Sequence, residues 1–415
     1  MSGPTRPAPR PVGRVCVQWP RLGPYHLARL AAAAERLAAE GVALTALETS
    51  AQDETYAWAA EPGADGFDRV VALGRAAESA PPRQTRRAVR DALDRIDPDA
   101  VAVTSYSTPD AHAALRWCRR RRRVAVVMFD SRAADAERRP WREAIKRALV
   151  RQYDAALVAG SPQAAYLASL GMPPDRTFRP VDVVDNDRFA CGADRARATG
   201  RLPHPGPYVL SVNRFLPRKN VDGLIRAYAF YRARAQAGGR APWPLVLVGD
   251  GPERGRLEAL AGPGVVFGGF QQADALPAWY GGAGLYVHPA HADPWGLVVN
   301  EAMAAGLPVL VSRGAGCAPD LVGGNGRTFA PGDPEGLASL LLWATADGTD
   351  RAAMGARSRT RIAPYTPAAF ADGLWRAVTA GRPHAGRGLS VGARAVLGAL
   401  AGLGLRHRAF HTVEA

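Results

Sequence analysis

The 415-residue sequence has little cysteine, no leader-like start and no long apolar run, and each shortage excludes something. Cys16, Cys118, Cys191 and Cys317 are scattered without paired spacing, which excludes a disulfide framework. No cluster of His, Cys and carboxylates has metal-ligand spacing either, so no metal and no resident cofactor are expected. Met1-Ser2-Gly3-Pro4 has neither the basic nor the apolar region of a secretory signal, and a reduced, cytoplasmic location is expected. No stretch approaches 18 uninterrupted apolar residues; the best, 395–405, is too short and too glycine-rich to span a bilayer. Acidic residues are also scarce, 38 against 53 basic, and the resulting +15 favours anionic partners without naming one. Arg far outnumbers Lys, and one run holds Arg119 to Arg123. That run reads as a solvated face, because no aromatic interleaving or nucleic-acid motif accompanies it, and no nucleic acid is expected as a partner.

What is present is a chain rich enough in apolar residues, at 47%, to bury a sizeable core in two or three domains. After a proline-rich arm at 1–12, apolar runs at 15–19, 42–47, 100–104, 124–129 and 155–159 alternate with Ala-, Leu- and Arg-rich helical stretches, the first at about 26–39. The Pro/Gly-rich break at 201–207 reads as a link. The pattern then restarts, with strands at 208–212, 244–248, 265–267, 284–288 and 308–312. Helices are expected at 221–235, 253–260, 275–280, 297–305 and 334–346. The fold class is therefore α/β: two doubly wound, Rossmann-like domains at 13–200 and 207–381, followed by a basic Gly/Leu-rich tail at 382–415. In such sheets ligands sit beyond the carboxyl ends of the strands, so chemistry is sought in the loops that follow them.

Two loops stand out. In 211–220, Arg214 and Lys219 fall between a strand end and a helix start, where backbone N–H groups already favour an anion; together they suit a diphosphate. In 293–303, Asp293 precedes a helix that carries Glu301, with Trp295 and Gly296 at the turn between them. Taken alone, Asp293 reads as a helix cap and Glu301 as a surface residue. Gly249 and Gly251 lie in a glycine-rich turn after a strand, and Phe270 closes a similar one at Gly268-Gly269.

Together these segments resemble the retaining glycosyltransferases of family 4 (group 1), from about residue 208 to residue 338. The resemblance rests on Arg214-Phe215-Leu216-Pro217-Arg218-Lys219-Asn220, the Gly-Asp-Gly-Pro turn at Gly249, His288-Pro289, Glu301-Ala302-Met303-Ala304-Ala305-Gly306 and Asn325-Gly326. The family's two Glu separated by seven residues stand here as Asp293 and Glu301, the first shortened to Asp. The resemblance implies the GT-B fold, two facing Rossmann-like domains with a cleft between them. It implies Arg214, Lys219 and Asp293 as catalytic residues, the two cations binding the donor's diphosphate and Asp293 contacting the transferred sugar. Glu301 would bind the ribose hydroxyls, with Gly249, Gly251, Phe270, Trp295, Gly296 and Leu297 completing the donor site. Gly23, His26 and Asp130 would contribute to the acceptor side of the cleft.

The implied activity is transfer of a hexose-type sugar, with retention, from a nucleotide-sugar donor to an unidentified acceptor that is a lipid, a polysaccharide or a small metabolite. A nucleotide-sugar epimerase or hydrolase on the same scaffold is the alternative, and a basic nucleic-acid-binding protein a lesser one. A peripheral contact with the inner face of a membrane would run through 395–405, bracketed by Arg394, Arg406 and Arg408. Packing of that tail on the amino-terminal domain, or disorder of the tail, is the preferred expectation.

Overall fold

The computed structural model describes residues 12–50, 66–76, 79–381 and 389–402. The arm expected at 1–12, but for its last residue, and the tail after 402 lie outside the described residues.

Seven strands, β1 (Arg14–Trp19), β2 (Ala43–Ser50), β3 (Asp68–Leu73), β4 (Ala100–Thr104), β5 (Val124–Phe129), β6 (Ala155–Val158) and β7 (Thr177–Phe178), form a parallel sheet in the order β3-β2-β1-β4-β5-β6-β7. Six more, β8 (Tyr208–Val212), β9 (Leu245–Val248), β10 (Val265–Gly269), β11 (Ala283–His288), β12 (Val309–Ser312) and β13 (Gly326–Phe329), form a second in the order β10-β9-β8-β11-β12-β13. The first sheet is wound with α1 (Pro24–Ala38), α2 (Pro82–Ile96), α3 (Pro109–Arg121), α4 (Pro140–Val150) and α5 (Ser161–Ser169), and α6 (Asn186–Thr199) leads out of it. The second is wound with α7 (Val221–Ala237), α8 (Arg254–Leu260), α9 (Leu276–Gly282), α10 (Leu297–Ala304), α11 (Ala318–Leu321) and α12 (Pro334–Ala344). The described chain finishes with α13 (Arg351–Ile362), α14 (Pro367–Ala380) and α15 (Val391–Gly402).

Parallel strands covered by helices on both faces must be apolar on both, which is why β5, β6 and β9 read as unbroken hydrophobic runs. Val15, Val17 and Trp19 of β1 enter an inner core, while Cys16 enters an outer one. In each sheet the first strand has its sequence neighbour on one side and a crossover partner on the other, β2 and β4 around β1, β9 and β11 around β8. These switch points open a crevice beyond the strands' carboxyl ends, and the loops after β1, β8 and β11 run along it.

The two units exchange helices. α6 packs against α9 and α10, with Phe189 edge-on to Tyr280 at 5.9 Å, while α14 returns to pack on α1 and β6. One continuous inner core therefore runs from β1 and α1 through Phe189 and Tyr280 to β8 and α10. The link at 201–207 separates the two sheets but not the two packing units.

Several elements differ from the sequence expectation. α1 begins at Pro24 rather than about residue 26, because proline is preorganised for a first turn and the Nδ1 of His26 accepts the Gly23 N–H at 3.0 Å. β2 runs on to Ser50. Strand β3 was not anticipated because it lies at an edge and is half exposed, and β13 because Gly-Arg-Thr-Phe carries little apolar signal. The described part of the tail packs back: Leu397 joins the outer core of the amino-terminal sheet, Ala393 is buried, and α15 lies on α4. Residues 403–405 of the expected interfacial stretch, with Arg406 and Arg408, fall outside the described residues.

The arginine run is only partly a solvated face. Arg119 is buried and bonds both carboxylate oxygens of Asp154, at 3.2 and 2.9 Å, while Asp154 also accepts the Ala125 N–H at 2.8 Å. Arg121 pairs with Asp94 at 2.7 Å, Arg122 closes α3 at φ 56°, and Arg123 pairs with Asp97 and Asp99. Removing one partner of a buried pair leaves the other charge uncompensated. Arg119→Ala is thus expected to lower stability by about 3–5 kcal/mol, against at most about 0.5 kcal/mol for exposed Arg120→Ala. Urea unfolding followed by circular dichroism checks this, and equal midpoints for the two variants would contradict it.

Candidate active site

The loop after β8 is anchored before it presents any charge. The Phe215 N–H donates to Asp250 O at 2.8 Å, and the Phe215 ring is buried in the outer core of the second sheet. Asn220 sits in a left-handed conformation at φ 53° and donates its amide to Pro289 O at 3.0 Å and Pro331 O at 2.8 Å. Gly249 is pressed onto the same loop, where a Cβ would stand 1.8 Å from Asn213 O; Gly251 packs on Phe215 in the same way. Both glycines thus act through close backbone approach. Lys219, one of only two lysines in the chain, projects from this fixed loop.

Its ammonium meets Asp293 Oδ2 at 2.5 Å, and His288 Nε2 lies 3.0 Å from the same oxygen. Burial alone would raise the Asp293 carboxyl; the Lys219 charge and the His288 hydrogen bond outweigh it and hold the group far below the usual carboxylate range. Desolvation pushes fully buried His288 down, and its bond to Asp293 only partly offsets that. His288 is then neutral beside an ionised Asp293, so its proton sits on Nε2. Its Nδ1 has no hydrogen-bond partner among the described residues.

Asp293 is not a helix cap. Gly296, at φ 101°, caps α10, and a Cβ there would crowd His288 Nε2 at 3.3 Å. The Asp293 backbone is pinned to the next loop instead, its N–H donating to Gly314 O at 3.1 Å and its carbonyl accepting from the Gly316 N–H at 2.9 Å. Trp295 requires a correction. Its indole is 2% exposed, donates to Asn300 Oδ1 at 3.0 Å and packs against Gly160 and Tyr365, so it fills the interface between the units rather than offering a face to a donor.

Glu301, one turn into α10, is likewise no surface residue, at 1% exposure. Its Oε1 accepts from the Tyr25 hydroxyl at 2.8 Å and its Oε2 from the Tyr280 hydroxyl at 2.7 Å. Burial raises its carboxyl to about 7, and the two tyrosines and Arg188 offset this only in part. Tyr25 reaches it from α1, across the crevice.

On that side a cavity of about 420 Å³ is lined by Gly23, His26, Arg29, Asp130, Asp182 and Leu297 among others. Desolvation holds His26 down at about 3, and its ring lies against Trp19 at 4.9 Å. Asp130 reaches solvent within the cavity. The surrounding walls and the nearby charges of Asp182 and Asp135 nevertheless raise its carboxyl to about 7. Arg29 pairs with Asp182 at 3.5 Å.

The structure thus brings Lys219, Asp293 and Gly296 together and joins Glu301 to Tyr25, while Gly23, His26, Asp130 and Leu297 share one cavity. Arg214 lies half exposed in the loop that carries Lys219, and Phe270 is 41% exposed beyond edge strand β10. Tyr25, Arg29, Tyr280 and His288 were assigned no role from sequence. Arg29 left a signal there, a lone charge among Leu27, Leu30, Ala33 and Leu37 on the buried face of α1. Among the described residues no group of three or more His, Cys, Asp or Glu is placed to hold a metal, and no helix is long and apolar enough to cross a membrane.

Residues 193–361 match the family described as glycosyl transferases group 1. The carboxy-terminal unit is a group 1 glycosyl transferase domain. Over 200 residues the chain is 32% identical to a sulfoquinovosyl transferase of Arabidopsis thaliana, covering 47% of this chain and 36% of that protein. It is also 32% identical to a GDP-mannose-dependent alpha-(1-6)-phosphatidylinositol monomannoside mannosyltransferase of Mycolicibacterium smegmatis, covering 42% and 49%. The matches therefore span less than half the length of these relatives. Among solved structures, sucrose-phosphate synthase from Thermosynechococcus elongatus superposes with a TM-score of 0.69 at 22% identity, covering 89% of this chain and 99% of that one. HepE of Anabaena in complex with UDP gives 0.63 at 16%, covering 88% and 99%. These likenesses carry the fold, GT-B across both domains. They lend no support to an epimerase or hydrolase.

The raised Glu301 carboxyl has a consequence for stability. The fold holds this proton more tightly than the unfolded chain, in which the group titrates near 4.5, so stability present at low pH is lost as pH rises through about 7. Glu301→Gln keeps acceptor and shape without titrating. Its stability is expected to fall less than that of the wild type between about pH 5 and about pH 8; urea midpoints at the two pH values check this, and equal falls would contradict it.

Proposed function

We propose that the protein transfers a hexose-type sugar from a nucleotide-sugar donor to an acceptor hydroxyl, with retention of anomeric configuration. The observation that carries this reading is the fixed Lys219–Asp293 couple in the loops after β8 and β11, followed by Glu301 one turn into α10, inside a group 1 glycosyl transferase domain.

In the proposed reaction the bond between the sugar's anomeric carbon and the diphosphate oxygen breaks, and its electron pair leaves with the diphosphate. Lys219 and Arg214 oppose the charge that builds there, a preorganised electrostatic role for which the reading requires no metal. Ionised Asp293, oriented by Lys219 and His288, stands where positive charge develops on an oxocarbenium-like sugar. The acceptor oxygen bonds the anomeric carbon on the face the diphosphate leaves, and its proton passes to a diphosphate oxygen. Glu301 holds the donor's ribose, and the cavity beside Asp130 and His26 receives the acceptor. The relatives' sulfoquinovosyl and mannosyl specificities differ, so they support sugar transfer rather than one sugar. The packed-back described part of α15 leaves a membrane contact no support from that helix.

The test is release of nucleoside diphosphate from a panel of UDP-, GDP-, ADP- and dTDP-sugars. Release from one donor is expected to fall by about 100-fold or more in Lys219→Ala, with a comparable loss in Glu301→Ala. Release that both variants retain would place the chemistry elsewhere.

A further inference from the structure

Glu301 has two carboxylate oxygens, and a tyrosine hydroxyl occupies each. Each oxygen keeps a second lone pair, but Glu301 is 1% exposed, so a ribose diol reaches this carboxylate only where an enclosing tyrosine gives way. The two are not equivalent. Tyr280 belongs to α9, in the same unit as Glu301, is fully buried and packs between Phe189 and Tyr286 at 5.9 Å from each ring. Tyr25 belongs to the first turn of α1, in the facing unit, is only half-buried and lines the 420 Å³ cavity. Its hydroxyl keeps its proton, because burial and the facing Glu301 raise its ionisation well above the ordinary tyrosine value; it is therefore a donor to Glu301, as a ribose hydroxyl would be.

We infer that Tyr25 is a recognition residue that competes with the donor's ribose for Glu301 Oε1, so that nucleotide binding exchanges one hydroxyl for another and moves the α1 end of the crevice. The inference rests on the reading of Glu301 as the ribose ligand. It explains why Glu301 is enclosed although the site must be reached from solvent: the hydroxyl that encloses it comes from across the crevice and can withdraw with α1. It also makes the exchange selective. A ligand that brings a diphosphate but no hydroxyl for Glu301 gains the contacts of the Lys219 loop without an exchange at Glu301, whereas a nucleotide replaces the phenol bond with its own.

The test compares the wild type with Tyr25→Phe, which keeps the ring and removes the competing O–H. The probes are UDP, GDP, ADP and dTDP, with inorganic pyrophosphate as the ligand without ribose, read by isothermal titration calorimetry. The expected result is that Tyr25→Phe binds the preferred nucleoside diphosphate about 3- to 10-fold more tightly, the size of one hydrogen bond no longer displaced, with pyrophosphate affinity unchanged. An unchanged nucleotide affinity overturns the inference, as does a weakened one, which would make Tyr25 a donor contact. An equal gain with pyrophosphate overturns it too, since Tyr25 would then obstruct the crevice as a whole. If neither protein binds any of the four nucleotides, the proposed donor site itself fails and the inference falls with it, an outcome distinct from nucleotide binding that ignores Tyr25.

Discussion

The Lys219–Asp293 ion pair is the constraint on which the rest of the site depends. A carboxylate as enclosed as Asp293 would take up a proton unless a fixed positive charge compensated its lost hydration. Lys219 supplies that charge, and the cost of displacing it ties two loops from different strands, those after β8 and β11, into one unit. Buried pairs of this kind contribute little net stability; their value lies in orientation. The surrounding residues fit that role: Asn220 fastens the lysine loop to Pro289, Gly296 lets the backbone pass close to His288, and Gly316 holds the Asp293 carbonyl.

The fold brings those loops together by winding order. Because β8 lies between β9 and β11, and β1 between β2 and β4, the connections on either side of each central strand diverge and leave a crevice between them. The shared inner core then sets the two crevices face to face, and the exchange of α6 and α14 couples the position of one unit to that of the other. A hydroxyl on α1 can thereby meet a carboxylate on α10. The charges differ accordingly, with an ionised, cation-bound Asp293 and a Glu301 carboxyl raised to about 7 in one unit, and an Asp130 carboxyl raised to about 7 in the facing one. Such a spread of protonation within one cleft is what acid–base and charge-stabilising roles require.

Much of this was legible in the sequence. Alternating apolar runs and helical stretches gave the α/β class, because strands buried on both faces leave an unbroken signal. Lys219 stood out with Arg214 as a cation between a strand end and a helix start, and the spacing of Asp293 and Glu301 marked the second loop. What the sequence withheld lies in long-range contact. Read locally, Asp293 looks like a cap and Glu301 like a surface residue, since nothing nearby reveals Lys219 74 residues earlier or Tyr25 276 residues earlier. Trp295 misleads for the same reason: an aromatic beside a glycine turn suggests a ligand platform, and only the packing of Gly160 against its ring shows that it belongs to the interface. Three of the five residues of the arginine run are likewise explained by carboxylates outside it, Asp154, Asp94 and Asp99.

The central claim is that the loops after β8 and β11 and the first turns of α10 form a single nucleotide-sugar site organised by Lys219. A crystal structure of the protein with its preferred nucleoside diphosphate tests this most directly. The account predicts the terminal phosphate within hydrogen-bond distance of Lys219 and the ribose hydroxyls on Glu301. Electron density for the nucleotide anywhere else, with Lys219 and Glu301 untouched, would contradict it.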